Sequence, residues 1–188
     1  MEVINIIKYT KELQNLADNF DCGNKVINRF LKQDYAFDNN QGVTYVMVNK
    51  DKSRIIGFYA IEADRIDEIE YIGDFKNFKF MGGAIHINFL ALDLKYQKHQ
   101  IGKLNNRNLY LSDYLLIDCE NRIAKLQSEV GIAFITLSST EQGYNLYLRN
   151  SYENFEDDMH IIPKDKDLDG YKMYKCIDDM RLWKKVCK

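Results

Sequence analysis

The residues best suited to chemistry lie together in one stretch, Phe89-Leu90-Ala91-Leu92-Asp93-Leu94-Lys95-Tyr96-Gln97-Lys98-His99-Gln100-Ile101-Gly102-Lys103. An apolar segment gives way to a short polar loop with Lys98, His99 and Lys103, and a helical pattern follows, so the loop is expected to open onto a helix N-terminus. Backbone N–H groups at such an end lack an intrahelical partner and stand at the positive pole of the helix macrodipole. A turn of this kind binds phosphate or pyrophosphate with few basic side chains. A plain strand-to-helix crossover, with one glycine for tight packing, carries the same pattern, because a single-glycine loop is a weak signal.

The other reactive types are scattered. Cysteines stand at 22, 119, 176 and 187 with no CxxC pair, and His86, His99 and His160 show no HxxxH or HxH spacing. A zinc site asks for about four clustered N/S ligands, so no metal is expected and the thiols read as reduced bystanders. Between Glu62 and Asp74 the chain carries Glu62, Asp64, Asp67, Glu68, Glu70 and Asp74 against Arg65 alone. Such a run is usually a solvated loop.

The elements that must position these residues follow from periodicity. Val3-Ile4-Asn5-Ile6-Ile7 reads as a short strand. Thr10 caps a helix through Leu13, Leu16 and Ala17, which Asp21-Cys22-Gly23-Asn24 ends. A second helix carries Val26, Ile27, Phe30, Leu31 and Ala36-Phe37. The strand Val43 to Val48 pairs, across the turn Asp51-Lys52-Ser53, with Arg54 to Ala63. A polar connection, Asp64 to Asn77, leads to Ala84 to Leu94, the most apolar strand and the one expected at the centre. Leu109, Leu116, Cys119, Ile123, Leu126 and Val130 form one stripe of a long amphipathic helix. After a strand from Ile132 to Leu137, Ser138-Ser139-Thr140-Glu141 starts a short helix through Leu148. Strands near Glu153 to His160 and Tyr171 to Ile177 flank the loop around Pro163. Strands and helices thus interleave, which predicts an α/β fold with a mixed central sheet and helices on both faces.

The 188 residues, 46% hydrophobic and 29% charged, match one globular domain, 1–188, able to bury a sizeable core. One proline and ten glycines exclude collagen-like and low-complexity classes. A net charge of −2 gives no global positive field to draw the chain onto nucleic acid or anionic membrane. Apolar stretches such as Ile55 to Ile61 fall short of the ~20 residues of a membrane helix, and the N-terminus carries no secretory pattern. A cytoplasmic protein without membrane contact is expected.

Over nearly its whole length the chain resembles the GNAT superfamily of acetyl-CoA-dependent N-acetyltransferases. That superfamily's pyrophosphate loop reads Q/R-x-x-G-x-G/A, and Gln97-Lys98-His99-Gln100-Ile101-Gly102 matches its first and last positions, with Gln100 in place of the first glycine. Leu90-Ala91-Leu92-Asp93 is similar to the bulged strand whose opened backbone hydrogen-bonds the pantetheine arm. Asp21-Cys22-Gly23-Asn24-Lys25-Val26-Ile27-Asn28-Arg29-Phe30-Leu31 is similar to the FDCG…L-x-x-FL start of a subgroup that includes acetyltransferase toxins of toxin–antitoxin pairs. Leu146-Tyr147-Leu148-Arg149-Asn150-Ser151-Tyr152 sits where the family has F/L-Y-x-x-x-G-F, with Ser151 standing for glycine.

The resemblance implies acetyl-CoA as cosubstrate, without metal. It would be held by Leu90, Ala91 and Leu92 and by Gln97, Lys98, His99, Gln100, Ile101, Gly102 and Lys103. It also implies direct transfer of the acetyl group to a primary amine. Tyr147 takes the family's general-acid position at the departing thiolate, and a phenol with an unperturbed pKa of about 10 stays protonated at neutral pH. His86 lies where some members carry a glutamate base, and an imidazole with an unperturbed pKa of about 6.5 can accept the amine's proton. A core tyrosine and a satisfied core histidine are the alternatives at these positions.

The acidic run follows a strand that borders the acceptor cleft in the family, which favours a small amine or a protein amine over tRNA. The net-basic segment, Lys164 to Lys188, with eight Lys/Arg against five Asp, lies far along the chain. Two other readings stay open. One is a toxin that acetylates the amino group of aminoacyl-tRNA and pairs with an antitoxin. The other is a non-catalytic acyl-CoA-binding module, which the departures at Gln100 and Ser151 would suit. A homodimer is compatible with each.

Overall fold

A computed structural model describes residues 5–40, 42–104, 106–161 and 170–177. The loop around Pro163, Cys187 and most of the basic stretch 164–188 lie outside the described residues. The chain divides into two units, one of residues 1–62 and 88–120, the other of 63–87 and 121–188.

The first unit contains strands β1 (Asn5–Lys8) and β2 (Val43–Val48), the opening part of β3 (Ile55–Ile72) and the closing part of β4 (Phe75–Leu92), in that spatial order. β2 pairs antiparallel with both β1 and β3, and sets Val46 opposite Ile7 and Phe58. Val46, Val48, Ile55 and Phe58 are buried in one cluster with Tyr9, Phe20 and Leu31. Helix α1 (Lys25–Lys32) joins it through Phe30, whose ring lies 4.4 Å from that of Phe89 and 6.0 Å from that of Phe58. A Cβ at Gly57 would stand 2.8 Å from the Ala91 carbonyl oxygen and 2.6 Å from a Leu92 methyl, so only glycine lets β3 lie this close to the end of β4.

Two expected helices here are shorter or tighter than their apolar spacing predicts. The segment after Thr10 is a 3₁₀ helix, Lys11–Asn19, without a side-chain cap. Leu13 and Leu16, three residues apart, suit a three-residue turn as well as an α-helix. The second helix stops at Lys32 and is followed by a separate 3₁₀ turn, Asp34–Phe37.

In the second unit β4 is followed in space by β7 (Phe134–Ser139), β10 (Tyr171–Cys176) and β8 (Glu153–Asn154). β4 and β7 pair in parallel, β7 and β10 antiparallel, so the sheet is mixed as expected. β9 (Met159–His160) adds to β3 at Asp67 and Glu68. Helix α2 (Leu111–Leu126), whose residues up to Glu120 belong to the first unit, buries Leu111, Leu115, Leu116, Cys119 and Ile123, and α3 (Glu141–Leu148) follows β7 in the second.

The segment 64–77 is not the polar connection its carboxylates suggest. β3 and β4 are 18 residues each and neighbours in the sheet, joined at Gly73, whose φ is +62°. β-Branched Ile66, Ile69 and Ile72 supply strand propensity. Some of the acids between them are paired locally: Asp67 lies 3.0 Å from Arg65, and Glu68 and Glu70 share Lys79 at 3.2 and 3.1 Å. Among the described residues no helix is long and apolar enough to cross a membrane, and no group of three His, Cys, Asp or Glu is placed to hold a metal.

Candidate active site

β4 ends where Asp93 turns the chain. Its backbone N–H donates to the Ile56 carbonyl at 2.8 Å. Its buried carboxylate accepts from the N–H groups of Lys95 at 3.1 Å and Asp21 at 3.3 Å, with an Arg54 nitrogen 3.8 Å away. A buried carboxylate needs such partners. The Asp21-Cys22-Gly23-Asn24 motif closes onto the same corner. Asp21 Oδ1 accepts from the Gly23 N–H and from Asn28 Nδ2, while Asn28 Oδ1 accepts from the Cys22 N–H. Gly23 sits at φ +86°, and Asn24 caps α1 through the N–H groups of Val26 and Ile27. Gln97 belongs here too. Its side-chain amide donates to the carbonyls of Cys22 at 3.0 Å and Leu92 at 3.1 Å, so it ties the motif to the end of β4.

Beyond Gln97 the chain does not enter a helix, contrary to expectation. Gln100–Leu104 is strand β5, paired antiparallel with β6 (Arg107–Tyr110), and α2 begins only at Leu111. Leu109, one heptad before Leu116, extended the helical stripe too far upstream, whereas the asparagines at 105 and 106 signal a hairpin. Asn106 adopts φ +63°. The helix end is also closed from within. Asp113, fully buried, accepts from the Tyr110 N–H at 2.9 Å and lies 3.9 Å from Arg107. A carboxylate thus already occupies the positive end of α2.

An anion would instead meet the hairpin. Lys98 (φ +63°), His99, Gln100 and Lys103 are exposed, and Ile101 forms a register break between Gln100 and Gly102. No heavy atom lies within 4 Å of where a Gly102 Cβ would stand, so the protein's own packing does not require glycine there. Leu90 is half-buried, and Ala91 and Leu92 are buried.

In the second unit the parallel register of β4 and β7 sets His86 directly across from Thr136. His86 Nδ1 is 2.9 Å from Thr136 Oγ1 and 3.6 Å from Asp64 Oδ2, and the Thr136 hydroxyl donates to Asp64 Oδ2 at 3.4 Å. In the tautomer whose Nδ1–H donates to Thr136, Nε2 is the basic nitrogen. Asp64 was hidden in the acidic run. Its place two residues after Glu62 on one continuous strand is the signal that would have found it.

Tyr147 is fixed by the way α3 ends. Thr140 Oγ1 caps the helix at the Gly143 N–H. At the other end the Tyr152 N–H donates to the Tyr147 carbonyl and the Ser151 N–H to the Leu148 carbonyl, both at 3.1 Å. This is a Schellman motif, and its C′ residue, Ser151, is held at φ +67°, the left-handed region where glycine is favoured. The motif's usual apolar contact joins Tyr147 and Tyr152, with ring centroids 5.4 Å apart and edge to face. Buried Lys175 from β10 donates to the Asn150 carbonyl at 2.9 Å and lies 5.3 Å from the Tyr152 ring. Tyr147 itself is 7% exposed.

The structure thus gathers His86 with Asp64 and Thr136, and Tyr147 with Tyr152, in the second unit. Leu90 to Leu92 and Gln97 to Lys103 belong to the first. No protein-family model and no curated protein sequence matches the chain. Solved structures do. AtaTR bound with acetyl-CoA is 14% identical over 96% of this chain and 97% of that one, with a TM-score of 0.73. A tyrosine-to-phenylalanine mutant of KacT is 15% identical over 97% and 99%, with a TM-score of 0.70. AtaT complexed with acetyl-methionyl-tRNAfMet is 14% identical over 96% and 99%, with a TM-score of 0.66. The chain therefore has the GNAT fold, shared over 96–97% of its length with the AtaT toxin and with KacT.

Proposed function

We propose that the protein transfers the acetyl group of acetyl-CoA directly to a primary amine. The observation that carries this reading is Tyr147, buried and locked by a Schellman motif at the sequence position of the family's proton donor. In the proposed step the amine nitrogen attacks the thioester carbonyl, the C–N bond forms and the C–S bond breaks. Tyr147 gives its proton to the departing sulfur, and His86 Nε2 takes the proton the amine loses. Asp64 and Thr136 hold the imidazole in the tautomer this needs. Leu90, Ala91 and Leu92 offer backbone to the pantetheine arm. Lys98, His99, Gln100, Ile101, Gly102 and Lys103 form the diphosphate site, where the open space at Gly102 suits a close approach of ligand to backbone. Gln97 ties the start of that segment to the Cys22 and Leu92 carbonyls.

The acceptor is a primary amine, small or carried by a protein or peptide. The acidic run is less open than its sequence suggests, because Asp67 pairs with Arg65 and Glu68 and Glu70 share Lys79, but its balance stays negative. A second reading, transfer to the amino group of aminoacyl-tRNA by a toxin with an antitoxin partner, gains support from the AtaT complex with acetyl-methionyl-tRNAfMet.

Acetyl-CoA at one hundred times its Kd should stabilise the fold by about 2.7 kcal/mol. Thiol should be released only when an amine is supplied from a panel of small amines, peptides and charged tRNAs. A thermal shift without thiol release would leave a binding module, and no shift at millimolar acetyl-CoA would remove the proposal. His86→Gln should lower kcat/KM by roughly 10²-fold and erase the acid limb of the pH–rate profile. An intact limb would take the base role from His86.

A further inference from the structure

A charged side chain, Lys175, is buried beside the end of α3. The registers of β4, β7 and β10 set Ile85, Ile135 and Lys175 in one row across the sheet, and Ile87, Leu137 and Met173 in the next row on the same face. All six are buried, and Lys175, 6% exposed, is the single charged residue among them. Lysine is almost never buried without a partner, because an ammonium loses its hydration there. An apolar side chain would continue the row without that cost. The helix does not ask for a lysine either. The last carbonyls of α3 are already met: Leu146 accepts from Asn150 Nδ2, Tyr147 from the N–H groups of Asn150 and Tyr152, and Leu148 from the Ser151 N–H.

Lys175 instead grips the turn beyond the helix. Its Nζ donates to the Asn150 carbonyl at 2.9 Å and stands 5.3 Å from the centre of the Tyr152 ring. That ring meets the Tyr147 ring edge to face at 5.4 Å. The Asn150 carbonyl belongs to the peptide that leads into Ser151, held at φ +67°, so the bond fixes the corner from which Tyr152 projects. We infer that Lys175 is a positioning residue for the transfer. By tying the Asn150 carbonyl to the Tyr152 ring it sets the place of the Tyr147 ring, and with it the phenol that meets the departing sulfur. The inference rests on the proposed function and adds to it a residue that acts through Tyr152 and not on the reacting atoms. Its physical ground is the narrow tolerance of proton transfer: a misplacement of about 1 Å can cost on the order of 10²-fold in rate. A donor is held that closely only when its neighbours are themselves locked. An ammonium supplies such a lock in two directions, through a charge-assisted bond to a carbonyl and through attraction to a ring.

Lys175→Met and Lys175→Arg in the full chain test this. Lys175→Met keeps the length of the side chain and removes the donor and the charge. Its melting temperature and its Kd for acetyl-CoA should stay near those of the parent, and KM for the amine should barely move. Its kcat should fall by roughly 10–10²-fold. Lys175→Arg keeps a donor for the carbonyl and a cation for the ring, and should recover most of that loss. A second readout needs no turnover. The aromatic NMR signals of Tyr147, assigned with Tyr147→Phe, should shift in Lys175→Met and lie near the parent's in Lys175→Arg. If Lys175→Met unfolds, the lysine serves the fold and the inference is overturned. The parent's kcat in folded Lys175→Met, unmoved Tyr147 signals, or a folded Lys175→Arg as slow as Lys175→Met would overturn it too. A parent chain that releases no thiol with any amine would sink the proposed function instead, and the NMR comparison would still decide whether Lys175 places Tyr147.

Discussion

The end of α3 and the segment after β4 hold their backbones in opposite ways. At the end of α3, two backbone hydrogen bonds, an aromatic pair and a buried lysine from another strand converge on residues 147–152. In the segment after β4 such convergence stops at Gln97. From Lys98 to Gln100 the residues are exposed, and the chain is held by the β5–β6 ladder, by Gln100 Nε2 donating to the Gly102 carbonyl and Asn108 Oδ1, and by the bond from the Leu111 N–H to the His99 carbonyl. On the proposed function this division is physically sensible. A proton donor must stand within a fraction of an ångström of its target. A diphosphate, long-armed and strongly charged, can be caught by a loop that presents amides and cations.

The comparison can be broken first at Tyr152. Tyr152→Ala deletes the ring that backs Tyr147 and receives Lys175, and truncating a buried aromatic costs about 3–5 kcal/mol. A fall in melting temperature of roughly 10 °C is expected, together with a loss of turnover. A variant with unchanged melting would show that α3 is held by something else. Gln97→Leu asks the same of the other region at a smaller scale. It strips donors from the Cys22 and Leu92 carbonyls, a loss of about 1–3 kcal/mol, and acetyl-CoA affinity should barely move. A normal melting curve with a tenfold weaker Kd would instead make Gln97 a ligand to the cosubstrate. The smallest effect has the opposite sign. Ser151→Gly relieves a left-handed serine and should raise stability by about 0.5–1 kcal/mol with no change in kcat. Destabilisation would mean that the serine side chain contributes more than its backbone conformation costs.

What could be read in advance follows the same line. The Asp21-Cys22-Gly23-Asn24 motif, the strand Val43–Val48 and the cap at Thr140 are specified by residues adjacent in sequence, because Asx turns, β-branched runs and N-caps act over a few positions. Ser151 in a family glycine position was visible, and its φ gives the reason glycine is common there. The hairpin 100–110 was not read. Leu109 fits both a strand and the heptad leading to Leu116, and only tertiary packing chooses between them. The arms of β3 and β4 were hidden differently. Their acids look like a solvated loop until Arg65, Lys79 and Thr136 are brought beside them, and those partners come from positions as distant as 72 residues. The Asp64–Thr136–His86 group was illegible for the same reason.

Tyr147→Phe tests the central claim most directly. The substitution removes one oxygen and keeps the ring against Tyr152, so the Kd for acetyl-CoA and the melting temperature should equal those of the parent. Loss of proton donation to the thiolate should lower kcat by on the order of 10²–10⁴. Turnover at the parent's rate would contradict the account, since the leaving sulfur would then need no proton from this phenol.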